Sequence, residues 1–166
     1  MRHLGHGVLE LGEEEPIEER LRLLYEGLVR ELSRYLPDVV AVEDVFHARA
    51  ARSALVLGQA RGVALLAAAQ SGARVRSYAP STIKQAVTGT GRAEKQQVGR
   101  MVSVLLGITI EGRTDASDAL AAAICGILRA RDPKESLNLK ESLNLKASVK
   151  AARGGWRLAL ARKYGK

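Results

Sequence analysis

Apolar positions near the start of the chain first alternate with polar ones and then recur at helical spacing. Residues 3–12 (HLGHGVLELG) alternate loosely and end in glycine, which predicts a strand. Pro16 opens a predicted helix that ends before Pro37 and Asp38. The apolar residues of this helix form one stripe: Ile17, Leu21, Leu24, Leu28 and Leu32. The run 39–45 (VVAVEDV) is apolar and β-branched, which is typical of a strand buried on both faces.

Helices and short strands alternate over the following ninety or so residues. Residues 50–70 form a predicted Ala/Leu helix, in which Gly58 and Gly62 lie four positions apart. Small residues at this spacing let another helix approach closely, which hints at tight packing or a dimer face. The later predicted elements are a strand at 74–79, a helix opened by Pro80, a GTGR turn at 89–92, and helices at 93–106 and 115–130. This alternation predicts an α/β layer fold.

Composition narrows the class of protein. Apolar residues make up 46% of the 166, which is enough to build a core and too many for a disordered chain. No apolar run is long enough to span a membrane, and Met1 leads into no signal peptide. The single cysteine, Cys125, excludes an internal disulfide and fits a reducing compartment. We therefore expect a cytoplasmic protein.

Charge is unevenly distributed along the chain. Residues 1–46 carry a net charge of −6, whereas residues 47–101 carry +8, equal to the net charge of the whole chain. A basic block inside a folded region favours a polyanion partner, with nucleic acid first. An ordinary solvated face is the alternative interpretation of the same charges.

The end of the chain differs in character from the rest. The hexamer KESLNL occurs twice in tandem, at 134–139 and 140–145, and residues 146–166 hold seven basic residues and no acidic one. Such a segment suits either a basic DNA-binding arm or a poorly ordered appendage, and we favour the appendage. We therefore divide the chain into a folded domain at 1–133 and a basic tail at 134–166.

Three carboxylates stand out by position. Glu43 interrupts an apolar strand, and either Glu43 or Asp44 must face the core or a cleft because neighbouring strand residues point to opposite sides. Asp115 and Asp118, three apart on a helix, repel each other unless a cation lies between them. Hard divalent ions such as Mg²⁺ bind clusters of this kind and support phosphodiester cleavage. On spacing alone, capping and favourable placement at a helix start explain the aspartates better than a metal site does.

Whole segments carry a more specific signal. VEDVF, SALVLGQARGVALLAA, SYAPSTIKQAVTGTGRAEKQQV and TDASDALAAAIC occur in this order and resemble the RuvC family of Holliday-junction resolvases over residues 3–131. The resemblance implies a ribonuclease H-like fold, with a mixed sheet flanked by helices, and a homodimer. It also implies cleavage of two opposing strands of a four-way DNA junction with Mg²⁺ or Mn²⁺, and association with a branch-migration helicase complex.

The resemblance also implies roles for individual residues at the catalytic centre. Glu43 matches the family's catalytic glutamate, and Asp115 and Asp118 match two further metal-binding carboxylates. Lys84 and Lys95 match basic residues that face the DNA near the site, where each can hold a phosphate. Ordinary surface lysines are the alternative for this pair.

Three further residues are expected to contact DNA on the same grounds. Phe46 matches an aromatic residue that family members use against bases at the junction, although a plain core phenylalanine is an equal alternative. Arg49 and Arg52 lie in the same predicted loop and are expected to contact the DNA backbone. Asp44, next to the catalytic glutamate, is assigned no role.

The chain departs from the family pattern at its start. Family members begin with a strand that ends in G-I-D-P-G, whose aspartate completes the metal site, and this sequence contains no such segment. The opening HLGHGVLELG matches the family's third strand, so we expect an N-terminally incomplete domain. Two alternatives to an active nuclease follow from this expectation: a catalytically impaired dimer that binds junctions, and a non-functional fragment.

Overall fold

Five helices and two strands succeed one another in the computed structural model, which describes residues 1–12, 14–44, 51–110 and 114–130. Their order is α1 (Ile17–Tyr35), β1 (Val39–Glu43), α2 (Ala51–Gln70), β2 (Arg74–Tyr78), α3 (Pro80–Thr88), α4 (Lys95–Leu106) and α5 (Thr114–Ala130). The predicted helices and the predicted strand at 74–79 are confirmed to within two residues at each described end.

Proline and residues with positive φ set the helix boundaries. Pro16 precedes α1, and Pro80 is the first residue of α3, where its missing amide hydrogen costs nothing. Helix α1 ends at Tyr35: the next residue, Leu36, still donates its amide to the Leu32 carbonyl but turns the chain out of the helix with a φ of 44°. Gly89 ends α3 in the same left-handed conformation, with φ of 82°, and so leads into the turn before α4.

The predicted strand at 3–12 is not observed, because residues 1–12 form neither helix nor strand. An extended segment becomes a strand only when its backbone pairs with a neighbour, and the described sheet contains β1 and β2 alone. Leu9 packs instead against α1 at Gly27, where a β carbon would come within 2.8 Å of a Leu9 methyl carbon. The apolar side chain of Leu9 thus contacts a helix and not a neighbouring strand.

Strands β1 and β2 pair in parallel, with Val39 opposite Arg74 and Glu43 opposite Tyr78. The pairing extends one residue past β1, because the Asp44 amide donates to the Tyr78 carbonyl at 2.9 Å. The four residues of β1 before Glu43 are partly buried rather than fully buried as predicted. Within the described ranges, β1 has a single strand neighbour, and this accounts for the difference.

The core lies between one face of the sheet and helices α3, α4 and α5. Ala41 of β1 packs against this core, and Tyr78 of β2 belongs to it. Helix α5 approaches the sheet closely at Gly126, where a β carbon would lie 3.3 Å from that of Ala41. The largest fully buried side chains belong to α4 and α5: Ile124, Val102 and Cys125.

Helices α1 and α2 pack against each other, and α2 lies on the opposite face of the sheet from α5. The Tyr25 hydroxyl of α1 donates to the side-chain oxygen of Gln70 at the end of α2. Burial is sparse in this pair of helices, where Gly27, Ala67 and Ala68 are the buried residues. Leu55 and Leu66 of α2 remain 64% and 52% exposed.

The chain divides into two compact units, Met1–Leu128 and Arg129–Lys166. The first unit holds every described residue except the last two of α5. The predicted basic tail at 134–166 lies outside the described residues, so the boundary at residue 133 stays a prediction. In the ranges that are described, no helix has the length and apolar character that crossing a membrane requires.

Candidate active site

Glu43 is the last residue of β1, and the pleat of the strand decides which way it faces. Side chains alternate between the two faces, so Glu43 shares a face with Ala41, which packs on the core beneath α5. Asp44 faces the other way, towards α2, where it forms an ion pair with Arg61. The structure therefore assigns Glu43, and not Asp44, to the side of the sheet that carries Asp115 and Asp118.

An open pocket lies at this strand end, and its walls come from four elements. Glu43 enters from β1, Lys84 from α3, Lys95 from the first residue of α4, and Asp118 from the second turn of α5. Four apolar or small residues complete the lining: Pro80, Ile83, Val98 and Ala121. Two carboxylates and two ammonium groups thus meet over an apolar floor.

Lys95 and Asp118 form an ion pair within this pocket, with Nζ 2.7 Å from Oδ2. The hydrogen bond to Asp118 is the main cause of a raised pKa for Lys95, and the charges of Asp118, Asp115 and Glu43 add to it. Both side chains are partly exposed, at 55% and 38%, so the pair contributes little to stability. Its effect is to place a positive charge beside the carboxylates.

Glu43 has a pKa above its ordinary value, although the residue as a whole is exposed. Burial of its carboxyl group is the main cause, and repulsion from Asp118 adds to it. Lys95 and Lys84 partly offset both effects. Glu43 and Asp118 both line the pocket, so a ligand bound there lies beside both carboxylates.

Asp115 lies one turn before Asp118 on α5 and is exposed. Its charge acts on Lys95, but among the three predicted carboxylates it alone does not line the pocket. No group of three His, Cys, Asp or Glu side chains in the described residues is placed to hold a metal ion. Glu43 and Asp118 fit a magnesium-type site of another kind, in which one or two carboxylates bind and water and substrate phosphate supply the other ligands.

The remaining predicted DNA contacts are distributed unevenly. Lys84 and Lys95 lie at the pocket, as the resemblance implies. Arg52 is exposed in the first turn of α2, away from the pocket lining. Phe46 and Arg49 fall outside the described residues.

Arg61 is a contact residue that the sequence interpretation missed. Its Nη2 lies 2.5 Å from Oδ1 of Asp44 and 2.8 Å from Oγ of Ser77. Asp44, which the sequence analysis assigned no role, is thus a structural contact of Arg61. The only sequence signal was an acidic residue beside Glu43 and an arginine on the next helix, and a separation of 17 residues fixes no distance.

The fold and the pocket define an α/β protein with two carboxylates and two lysines gathered at a strand end. The family model of crossover junction endodeoxyribonuclease RuvC matches residues 1–126. RuvC of Trichlorobacter lovleyi is 50% identical over 125 residues, covering 75% of this chain and 70% of the relative. RuvC of Myxococcus xanthus is 50% identical over 131 residues, covering 78% and 69%.

Solved structures agree with these relatives. Thermus thermophilus RuvC superposes with a TM-score of 0.70 at 36% identity, covering 78% of this chain and 79% of that one. The same protein in complex with Holliday junction substrate gives a TM-score of 0.73 at the same identity and coverage. The chain belongs to the RuvC family, which confirms the predicted resemblance and fold.

Proposed function

We propose that the protein resolves four-way DNA junctions by paired symmetric nicks, as a metal-dependent endonuclease in recombination and repair. The observation that carries this proposal is the pocket at the end of β1, which joins Glu43 and Asp118 to Lys84 and Lys95 in a chain of the RuvC family. A solved relative has been captured with Holliday junction substrate, which supports a junction as the ligand here.

Glu43, Asp118 and Asp115 are the proposed catalytic and metal-binding residues. RuvC nucleases depend on a divalent metal, and oxygen ligands alone favour Mg²⁺, with Mn²⁺ as a second choice. Such an ion supplies Lewis-acid stabilisation of a phosphate and lowers the pKa of water. Glu43 and Asp118 provide ligands from the pocket, while Asp115 adds negative charge from one turn away.

Lys95 and Lys84 are the proposed phosphate-binding residues. The pair with Asp118 holds the Lys95 ammonium group at the pocket, where it can neutralise a phosphate oxygen as charge develops on it. Lys84 lines the same pocket from α3. Arg52, Arg49 and Phe46 are proposed to contact the junction arms and bases, in keeping with the basic block 47–101.

A homodimer is the proposed working form, because two opposing cuts need two pockets. The exposed face of α2 supports this, since no group of the described residues lies within 4 Å of a β carbon added at Gly58 or Gly62. Leu55 and Leu66 are exposed on the same helix, so two copies can bury them together. A branch-migration helicase complex is the proposed further partner, and the cytoplasm, where bacterial DNA is recombined, the proposed location.

Cleavage of a synthetic four-way junction tests this function. With Mg²⁺, the protein should nick two opposing strands near the centre and leave a linear duplex of the same sequence uncut. Glu43→Gln should still shift the junction in a gel but yield no product. Junction binding without cleavage by the unaltered protein would support the impaired dimer instead, and equal affinity for junction and duplex would contradict junction recognition.

A further inference from the structure

Arg61 joins three elements behind the catalytic strand. Its Nη2 contacts Asp44 Oδ1, just past the end of β1, and Ser77 Oγ in β2, while its backbone belongs to α2. Arginine suits this place because its planar guanidinium group presents donors in fixed directions. One atom therefore ties the end of β1 to its neighbouring strand and to the helix that covers it.

The surroundings of this contact make it stronger than a surface ion pair. The side chains of Arg61 and Asp44 are 28% and 27% exposed, whereas the pair of Arg30 and Glu31 on α1 is 72% and 43% exposed. Water screens a partly enclosed pair less, so its loss is felt more. Arg61 Nε is fully enclosed, with no hydrogen-bond partner among the described residues, which shows how closely the side chain is packed.

Asp44 connects this contact to the pocket. It directly follows Glu43, and its amide donates to the Tyr78 carbonyl in the last described backbone bond of the strand pair. The description of this strand end stops at Asp44, where the amide bond to Tyr78 and the side-chain contact with Arg61 meet on one residue. The two side chains point to opposite faces, so Arg61 acts on Glu43 from behind the strand.

We propose that Arg61 is a positioning residue, which through Asp44 and Ser77 fixes the end of β1 and so holds Glu43 opposite Lys95 and Asp118. The inference rests on the proposed nuclease function and deepens it. Without Arg61 the end of β1 can open locally while the rest of the fold stays intact. A displacement of about 1 Å in a catalytic group is enough to lower a rate by about 100-fold.

The decisive variant is Arg61→Gln, which removes the charge and keeps most of the side-chain length. With saturating junction and Mg²⁺, we expect the single-turnover cleavage rate to fall by about 10- to 100-fold. The junction dissociation constant should stay within about twofold, because Arg61 lies on the other face from the pocket. Arg61→Lys should recover part of the rate, since it restores the charge without the fork.

Two controls separate positioning from a general structural effect. Arg30→Gln removes an arginine from an exposed ion pair and should leave cleavage unchanged. Asp44→Asn should lower the rate by the same route, and the double variant Arg61→Gln with Asp44→Asn should be no slower than the slower single variant, within about twofold. Additive losses in the double variant would contradict a shared contact.

Amide hydrogen exchange supplies a measurement that needs no cleavage. In Arg61→Gln we expect the Asp44 amide, at the pocket end of the strand pair, to exchange about tenfold faster. The Arg74 amide, which donates to the Asp38 carbonyl at the other end, should keep its rate. If both amides accelerate together, or if neither changes, the positioning role is wrong.

The outcomes distinguish this inference from the function it rests on. An unaltered protein that cuts junctions, with Arg61→Gln equally fast, overturns only the role of Arg61. A proportional loss of cleavage, binding and thermal stability in Arg61→Gln also overturns it, because the effect is then merely structural. If the unaltered protein cuts nothing, the proposed function fails and the exchange rates alone decide the positioning of β1.

Discussion

Side chains are buried to different extents on the two sides of the small parallel sheet. Against one face, α3, α4 and α5 enclose a core in which Val102 and Ile124 are almost completely buried. On the other side, α2 packs on the sheet and α1 packs on α2; the fully buried residues of these helices are glycine and alanine, and Leu55 and Leu66 remain exposed. The difference indicates that the first face stabilises the monomer, whereas the second is available to another molecule.

The same contrast appears between two neighbouring carboxylates. Asp44 faces α2 and has a partner in Arg61, so its charge is neutralised within the protein. Glu43 faces the pocket, where burial and the charge of Asp118 raise its pKa. A paired carboxylate fixes structure, whereas a carboxylate crowded by another can bind a cation.

The largest effect should come from the pocket carboxylates. Glu43→Gln and Asp118→Asn should each lower junction cleavage on the order of 1,000-fold. Each substitution removes a charged oxygen ligand while it keeps the size and shape of the side chain. Asp115→Asn should lower it less, since Asp115 does not line the pocket. Single-turnover cleavage assays measure all three, with Glu26→Gln on exposed α1 as control. Equal losses for Asp115 and Glu43 would contradict this order.

The next largest effect should be on the free energy of unfolding, which should fall more for a substitution in the core than for one on exposed α2. Ile124→Ala, in the core, should lower the free energy of unfolding by about 2–5 kcal/mol. Leu55→Ala, on exposed α2, should change that of the monomer by no more than about 0.5 kcal/mol. Urea unfolding at low protein concentration measures both. Similar costs for the two variants would show that the contrast between the faces is false.

A substitution on the exposed face of α2 should change self-association rather than the stability of the monomer. Leu66→Lys places a charge where two copies are proposed to meet, and should weaken self-association by at least about tenfold without unfolding the chain. Sedimentation velocity over a range of concentrations measures the shift, and exposed Val104→Lys on α4 is the matched control. A dimer unaffected by Leu66→Lys but lost in Val104→Lys would place the interface elsewhere.

A smaller effect concerns pH. Since Glu43 has a raised pKa, the folded state holds a proton more tightly than the unfolded state, so stability should fall as pH rises through the window above the ordinary glutamate value. Asp118→Asn removes the repulsion and should narrow that window. Carboxyl NMR titration of Glu43 in the two proteins measures the change. A higher pKa for Glu43 in the variant would contradict the assigned cause.

Sequence periodicity predicted the helices correctly but predicted the wrong conformation for the first segment. The stripe from Ile17 to Leu32, with prolines at both ends, predicted α1 because helix boundaries depend on local chemistry. Alternation at 3–12 predicted a strand that is not present, because pairing depends on a partner elsewhere in the chain. The apolar side chain of Leu9 packs against Gly27 of α1, and periodicity does not reveal such a contact.

The candidate site was predicted as a set of residues but not as an arrangement. Family segments pointed to Glu43, Asp118, Lys84 and Lys95, and these four meet in one pocket. The choice between Glu43 and Asp44 needed the register of β1, because alternation leaves open which face is buried. Arg61 remained hidden because its contact with Asp44 depends on how α2 crosses the sheet.

The most direct test of the proposed active site is one cleavage measurement on the purified 166-residue protein. A labelled four-way junction is incubated with Mg²⁺ and either the unaltered chain or Glu43→Gln, and the products are resolved on a denaturing gel. We expect paired nicks in opposing strands with the unaltered chain and none with Glu43→Gln. An intact junction in both reactions, or equal cleavage in both, would contradict the assignment of catalysis to this pocket.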